Sequence, residues 1–333
     1  MHELSQMIKD DMKPALGVTE PGAIAFAVAK ARSFTKGDIK KVNVAMNSGM
    51  YKNAFTCGIP NSNEVGNVFA AALGVVAGNA DKGLESLADV TPEDNVKAQE
   101  MIDQGKVTVE LSGITSRIFI EATVETEEDK AIVTIRDSHT NITKITVNDK
   151  VELETEDEKK TEEDGGEEEA HSIHKYTLQQ LYDYVTTVDI EEIRFINEAY
   201  KVNLELFHEG LENPRTTFAR QLLAINNGKE VSDDEQKTAS LMCNAAIEAR
   251  VIGLDKPAMS ITGSGAHGII ATMSLYAAYK VNGYTEEQLL RATALSYLVC
   301  MYIKEYSGRL SAFCGCAIAA GSGMACALVY LRG

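Results

Sequence analysis

Apolar positions recur with helical spacing over residues 3–12, and Pro14-Ala-Leu-Gly17 then interrupts the pattern. Thr19-Glu20-Pro21 reads as a helix start: Thr19 as cap, an acid near the positive end, Pro21 in the first turn. That helix runs to about Ser33, kept slim by Ala25, Ala27, Ala29 and Ala31. Residues 40–46 alternate as a strand does. Residues 61–78 begin polar and become a Gly/Ala-rich buried helix, and 92–103 form an exposed amphipathic helix. Strand signals follow at 106–111, 117–126, 130–137 and 143–153, separated by turn-prone pieces such as Glu127-Glu128-Asp129.

From Thr177 the pattern turns helical, over 177–186, 189–209, 215–226, 232–252, 266–281, 285–305 and 309–331. Thr285-Glu-Glu-Gln288 resembles a capping box. The expected fold is α+β. Residues 1–153 form a mixed domain with a mostly antiparallel sheet flanked by helices, 154–172 an acidic flexible linker or loop, and 173–333 an all-α domain.

Composition sharpens this picture. At ~100–200 residues per domain, 333 residues allow two domains. With 25 glycines, abundant alanine and no tryptophan, close packing through small residues is expected. The net charge is −17, which argues against a nucleic-acid partner, because phosphates demand surplus cations. Residues 152–169 hold eleven acids against Lys159 and Lys160, a net of −9, so the rest of the surface is only mildly acidic.

The N-terminus lacks the basic and apolar regions of a signal peptide. The apolar runs at 68–78 and 312–331 fall short of about 20 apolar residues in a row, so no membrane span is expected. The expected location is the cytoplasm, where six cysteines (57, 243, 300, 314, 316, 326) are not a disulfide framework. The Gly/Ala-rich helices at 266–281 and 312–331 could be core or the contact of a homo-oligomer.

Four segments could carry chemistry. The first, 47–63, concentrates glycines and polar groups, with Ser48, Lys52 and Asn53 as candidates for gripping a small anion; by composition it is a loop. The second, Asp137-Ser-His-Thr-Asn-Ile142, offers His139 for proton transfer and Asn141 for binding, or is simply a turn between strands. The third, Ile261-Thr-Gly-Ser-Gly-Ala-His-Gly268, matches G-x-G-x-x-G but lacks the βαβ setting of a dinucleotide site. What remains is a cradle for a carboxylate at a helix N-terminus, built from Gly263, Ser264 and Gly265, with His267 as donor or base. The fourth holds Cys314-Gly-Cys316; one C-x-C pair is weak evidence for a metal, since zinc sites and iron–sulfur clusters ordinarily use more ligands.

In order along the chain, Ala15-Leu-Gly-Val-Thr-Glu-Pro21, Met50-Tyr-Lys-Asn-Ala54 with Gly58-Ile-Pro60, His139-Thr-Asn-Ile142, Thr262-Gly-Ser-Gly265 and Ser311-Ala-Phe-Cys-Gly-Cys-Ala-Ile-Ala-Ala-Gly321 resemble the L-cysteine desulfidase family. The C-terminal part of that family is similar to the alpha chain of iron–sulfur L-serine dehydratases. The resemblance implies a carbon–sulfur lyase, or a carbon–oxygen lyase of the serine dehydratase kind. It further implies an oxygen-sensitive [4Fe–4S] cluster, no pyridoxal phosphate, and β-elimination of L-cysteine to sulfide, ammonia and pyruvate. Carried onto this sequence, Cys316 in preference to Cys314 is the cluster ligand. Lys52, Asn53 and the 263–268 backbone hold the small amino-acid substrate, His139 or His267 is the base, and Glu20 orients a neighbour or accepts the substrate ammonium.

Two features depart from the family pattern. Val18 stands where the family has a ligand cysteine, and the sequence stops at Leu331-Arg-Gly333, ahead of a Cys-Asp-Gly-Ala-Lys motif carrying another. The chain is therefore expected to hold a normal cluster poorly or not at all. The alternatives to an enzyme are a paralogue or fragment that binds a small amino acid without turnover, and a structural protein.

Overall fold

A computed structural model describes residues 1–115, 117–155, 173–307 and 314–333. Its first helix, α1 (Glu3–Asp11), buries Leu4, Ser5 and Ile8. β1 (Lys13–Leu16) follows where the sequence shows only a break, and Pro14 is tolerated there because the strand lies at a sheet edge. The chain separates into two units, Leu16–Glu167 and Met1–Ala15 with Glu168–Gly333.

In the first unit, α2 (Thr19–Arg32) is buried nearly all round. Its N-cap is Val18, not Thr19: Val18 keeps extended dihedrals while Thr19 is already helical, and the Thr19 hydroxyl donates to Glu20 Oε2 at 3.3 Å. β2 (Ile39–Asn47) runs into α3 (Ser48–Ala54), a short helix where a loop was expected. Asn47 fixes that junction, donating from Nδ2 to the Thr115 carbonyl and accepting the Phe119 N–H at Oδ1. α4 (Asn67–Ala77) starts six residues later than predicted, because Gly58 and Val65 pair first and Gly66 turns the chain at φ 94°. α5 (Pro92–Asp103) carries a Thr91/Asp94 capping box.

Five strands complete this unit: β3 (Val107–Gly113), β4 (Phe119–Thr126), β5 (Lys130–Arg136), β6 (Ile142–Val147) and β7 (Lys150–Glu154). The single strand predicted over 143–153 is two, split by Asn148 and Asp149, whose positive φ values of 49° and 65° make a two-residue hairpin turn. The sheet order is β3-β2-β4-β5-β6-β7, parallel between β2 and β3 and antiparallel elsewhere. Val42, Val44, Ile120, Val124, Val133 and Ile135 are buried within it, and α2 packs on β4 and β5. α4 meets α2 through small residues: a Cβ on Gly74 would lie 2.7 Å from the Ala25 carbonyl oxygen.

The second unit is mainly helical. It contains α6 (Leu178–Thr187), α7 (Ile190–Ile193), α8 (Asn197–Glu212), α9 (Phe218–Ile225) and α10 (Glu235–Val251). A 3-10 turn at Arg194–Ile196 divides the one helix predicted over 189–209. β8 (Pro257–Ser260) pairs with β1, so this unit also holds a two-stranded sheet. α11 (Gly265–Asn282) and α12 (Glu286–Ser307) follow, the latter behind the predicted Thr285–Gln288 box. A π-helical turn at Cys316–Ala320 leads into α13 (Gly321–Arg332). Leu290, Leu298 and Phe207 are fully buried here; each such side chain contributes about 1.5–3 kcal/mol.

The architecture is α+β, as the hydrophobic pattern predicts. The predicted linker lies outside the described residues beyond Thr155, as do residues 309–313 of the predicted last helix. No helix among the described residues is long and apolar enough to cross a membrane.

Candidate functional site

Strand β8 delivers the chain into a tight turn closed by Ile261 and Ser264, whose N–H and carbonyl groups exchange bonds of 3.3 and 3.1 Å. Both central residues have positive φ, 54° at Thr262 and 71° at Gly263. Glycine adopts this freely; a β-branched threonine does so at a cost of about 1–3 kcal/mol. Asp11, at the end of α1, accepts the Thr262 N–H at 2.5 Å. α11 starts at Gly265, and Ser264 makes no side-chain cap bond to it. The first-turn N–H groups and the positive end of an 18-residue helix are therefore free of a side-chain cap at that point.

His267 lies in that first turn and is 5% exposed. Its Nδ1 is 2.6 Å from the Thr262 hydroxyl, which is also 2.7 Å from the Ile261 carbonyl oxygen. The opposite edge of the ring faces Gly315: a Cβ built there would lie 2.8 Å from Nε2 and 3.6 Å from the Lys304 side chain. A Cβ on Gly265 would likewise lie 2.6 Å from Arg250 Nε. Two glycines thus make room for an imidazole and two cations. Arg250, from the end of α10, and Lys304, from the end of α12, are each only 6% exposed. The π turn adds Cys316, whose carbonyl accepts the Gly321 N–H five residues on; such turns often occur at functional sites.

Burial, with Lys304 and Arg250 alongside, pushes the His267 pKa down to about 4, so the imidazole is neutral at pH 7. Burial also lowers Lys304, against the favourable pull of Cys300 and Cys316. Burial pushes the Cys300 thiol up to about 12, opposed by the Thr262 hydroxyl, and burial with the adjacent Cys314 pushes Cys316 up to about 11. The cluster therefore offers a neutral base beside two cations. Such a setting suits an anion carrying an acidic C–H, such as an amino-acid carboxylate.

The predicted site residues fall in both units. Gly263, Ser264, Gly265, His267 and Cys316 gather in the cluster just described; Cys314 is exposed beside Cys316. In the other unit, Glu20 is buried at the start of α2 and accepts Asn53 Nδ2 at 2.9 Å. Lys52 is exposed on α3. Ser48 donates to the Thr115 carbonyl and Asn141 to that of Arg136. His139 is half-buried in the turn after β5, where Asp137 pairs with Arg117 at 2.9 Å. Arg250, Lys304 and Asp11 also belong to the cluster and lie in none of the four segments that the sequence marks. The i, i+3, i+7 spacing of Tyr297, Cys300 and Lys304 puts them on one face of α12, and the structure buries all three.

The implied [4Fe–4S] cluster requires three or four thiolates. Among the described residues, no group of three or more His, Cys, Asp or Glu side chains is placed to hold a metal ion. Val18, where the resemblance implies a ligand cysteine, is buried and apolar. The donor set among the described residues does not fit the cluster.

Residues 81–333 match the family model described as serine dehydratase alpha chain. A UPF0597 protein of Clostridium botulinum (strain Langeland) is 39% identical over 98% of this chain and 76% of its own length. A UPF0597 protein of Caldanaerobacter subterraneus is 36% identical (99% and 76%), and one of Bacteroides fragilis 33% (99% and 76%). No solved structure matches. On the extent of the family match and the identity to these relatives, the chain belongs to the serine dehydratase alpha chain family.

Proposed function

We propose that the chain is a lyase acting on a small α-amino acid, with L-cysteine as substrate. The observation that carries this reading is the neutral His267 with Arg250 and Lys304 alongside, its Nε2 edge facing the Gly315 backbone. The two cations and the start of α11 hold the α-carboxylate and acidify the Cα–H bond. His267 takes the Cα proton, the C–H electron pair forms the Cα=Cβ double bond, and the Cβ–S bond breaks with its pair leaving on sulfur as hydrosulfide. The aminoacrylate tautomerises to an imine, which water converts to pyruvate and ammonia. Hydrosulfide is a far better leaving group than hydroxide, so a thiol substrate asks less of the site than serine does.

Sulfide and pyruvate released from L-cysteine by anaerobically purified protein test the reading. Turnover is expected, with a loss of at least ~100-fold in His267→Gln. Val18 in place of a ligand cysteine favours a second reading, an amino-acid binder without turnover. A thermal shift with L-cysteine but neither product would establish the second and overturn the first.

A further inference from the structure

The turn that precedes α11 requires positive φ at two successive residues, and Asn, Asp or Gly serve that purpose best. Gly263 meets the demand; Thr262 meets it against the preference of a β-branched side chain. What threonine supplies is a hydroxyl; Cys300 Sγ lies 4.0 Å from it, and its two closer contacts determine how it is used. The Ile261 carbonyl oxygen, 2.7 Å away, can only accept, so the single hydroxyl proton points to it. The hydroxyl oxygen is then left as acceptor toward His267 Nδ1 at 2.6 Å, and the proton between them belongs to the imidazole.

We propose that Thr262 is a positioning residue that fixes His267 as the Nδ1–H tautomer, leaving the Nε2 lone pair directed at the Gly315 side of the cluster. Asp11 completes the device from a distant part of the sequence, holding the Thr262 N–H and with it the strained turn. The tautomer is a property of the resting protein. Its role in catalysis rests on the reading of His267 as the base, but its existence does not.

The full-length chain labelled with 15N-histidine gives a test independent of turnover. It has six histidines, and the His267 signals are those lost in His267→Gln. At pH 7 the Nε2 of His267 is expected to show the shift of an unprotonated ring nitrogen, and Nδ1 that of a protonated one. Thr262→Ser, which keeps the hydroxyl, retains this pattern and a kcat within about threefold of wild type. Thr262→Val, which keeps the shape, mixes or reverses the tautomers and lowers kcat at least ~10-fold with little change in KM. A wild-type spectrum with Nε2 protonated overturns the inference whether or not any variant folds, as does an unaltered tautomer in Thr262→Val. A correct tautomer with full activity in His267→Gln would instead overturn the assignment of the base and leave the tautomer standing.

Discussion

Gly315 packs against the Nε2 edge of His267: a Cβ built on it would stand 2.8 Å from that nitrogen, well inside contact distance. The Gly315 dihedrals, φ −61° and ψ −28°, are ordinary helical values, so alanine is not opposed by the backbone. Gly315→Ala must displace the imidazole or the turn by a few tenths of an ångström, at a cost of about 1–3 kcal/mol, and is expected to bury the base beneath its methyl group. Turnover of L-cysteine should fall at least ~100-fold while the midpoint of thermal unfolding moves by no more than a few degrees. Retained turnover with the methyl group present would show that the proton leaves substrate by another route.

His267 also links stability to pH. Burial, then Lys304 and Arg250, lower its pKa from the ordinary 6.5 to about 4 in the folded chain. A histidine with a depressed folded pKa is protonated more readily when unfolded. Its contribution is fully present above about pH 6.5 and is lost as pH falls toward 4. The size is on the order of 3 kcal/mol at the acid end of that window. Urea midpoints measured from pH 7.5 to 4.5 should fall for wild type and change less for His267→Gln. Parallel curves for the two proteins would mean that the imidazole is already charged in the fold.

The elements were legible where the pattern was local. Alternation along β2 to β6 and the capping box at Thr285 each follow from a few neighbouring residues. α3 is not legible because it is seven residues long and its apolar pattern is a single i,i+4 pair, the buried Met50 and Ala54; its start is fixed by Asn47 reaching Thr115 and Phe119. β1 was missed because its partner strand lies about 240 residues away in sequence. The site divides along the same line. The glycine turn and His267 are one contiguous motif, visible as such. Arg250 and Lys304 each look like the cation that commonly ends a helix, and only the packing shows that both are buried beside one imidazole.

Glu248 caps a helix that is not its own. The Thr217 and Phe218 N–H groups bond its Oε1 at 2.7 and 3.1 Å, and the Ala219 N–H its Oε2 at 2.8 Å, so the start of α9 is satisfied by a carboxylate from α10. Burial alone would raise this carboxyl's pKa, but the backbone donors together hold it below the usual range. Glu248→Ala should cost about 1–2 kcal/mol, the upper range for losing a cap, and Glu248→Gln somewhat less. Amide exchange at 217–219 should quicken in both variants. Unchanged exchange there would show that the cap contributes nothing to α9.

Asn203 joins three elements near the site with both ends of one amide. It is fully buried on α8, donating from Nδ2 to Thr272 Oγ1 of α11 and accepting the Met259 N–H of β8 at Oδ1, each at 2.9 Å. Asn203→Leu is close in volume but leaves the Met259 N–H buried without its acceptor, at a cost of about 1–3 kcal/mol. Thr272 still donates to the Gly268 carbonyl at 2.7 Å, so that hydroxyl is not stranded. Asn203→Asp keeps the acceptor and loses the donor. Once ionised it places a charge where nothing can hydrate it, so it should be markedly less stable at pH 8 than at pH 5. Because Met259 lies on the strand that leads into the Thr262 turn, the leucine variant should also slow turnover before it unfolds the chain. Equal urea midpoints for wild type and both variants would show that the amide fills space without holding β8 in place.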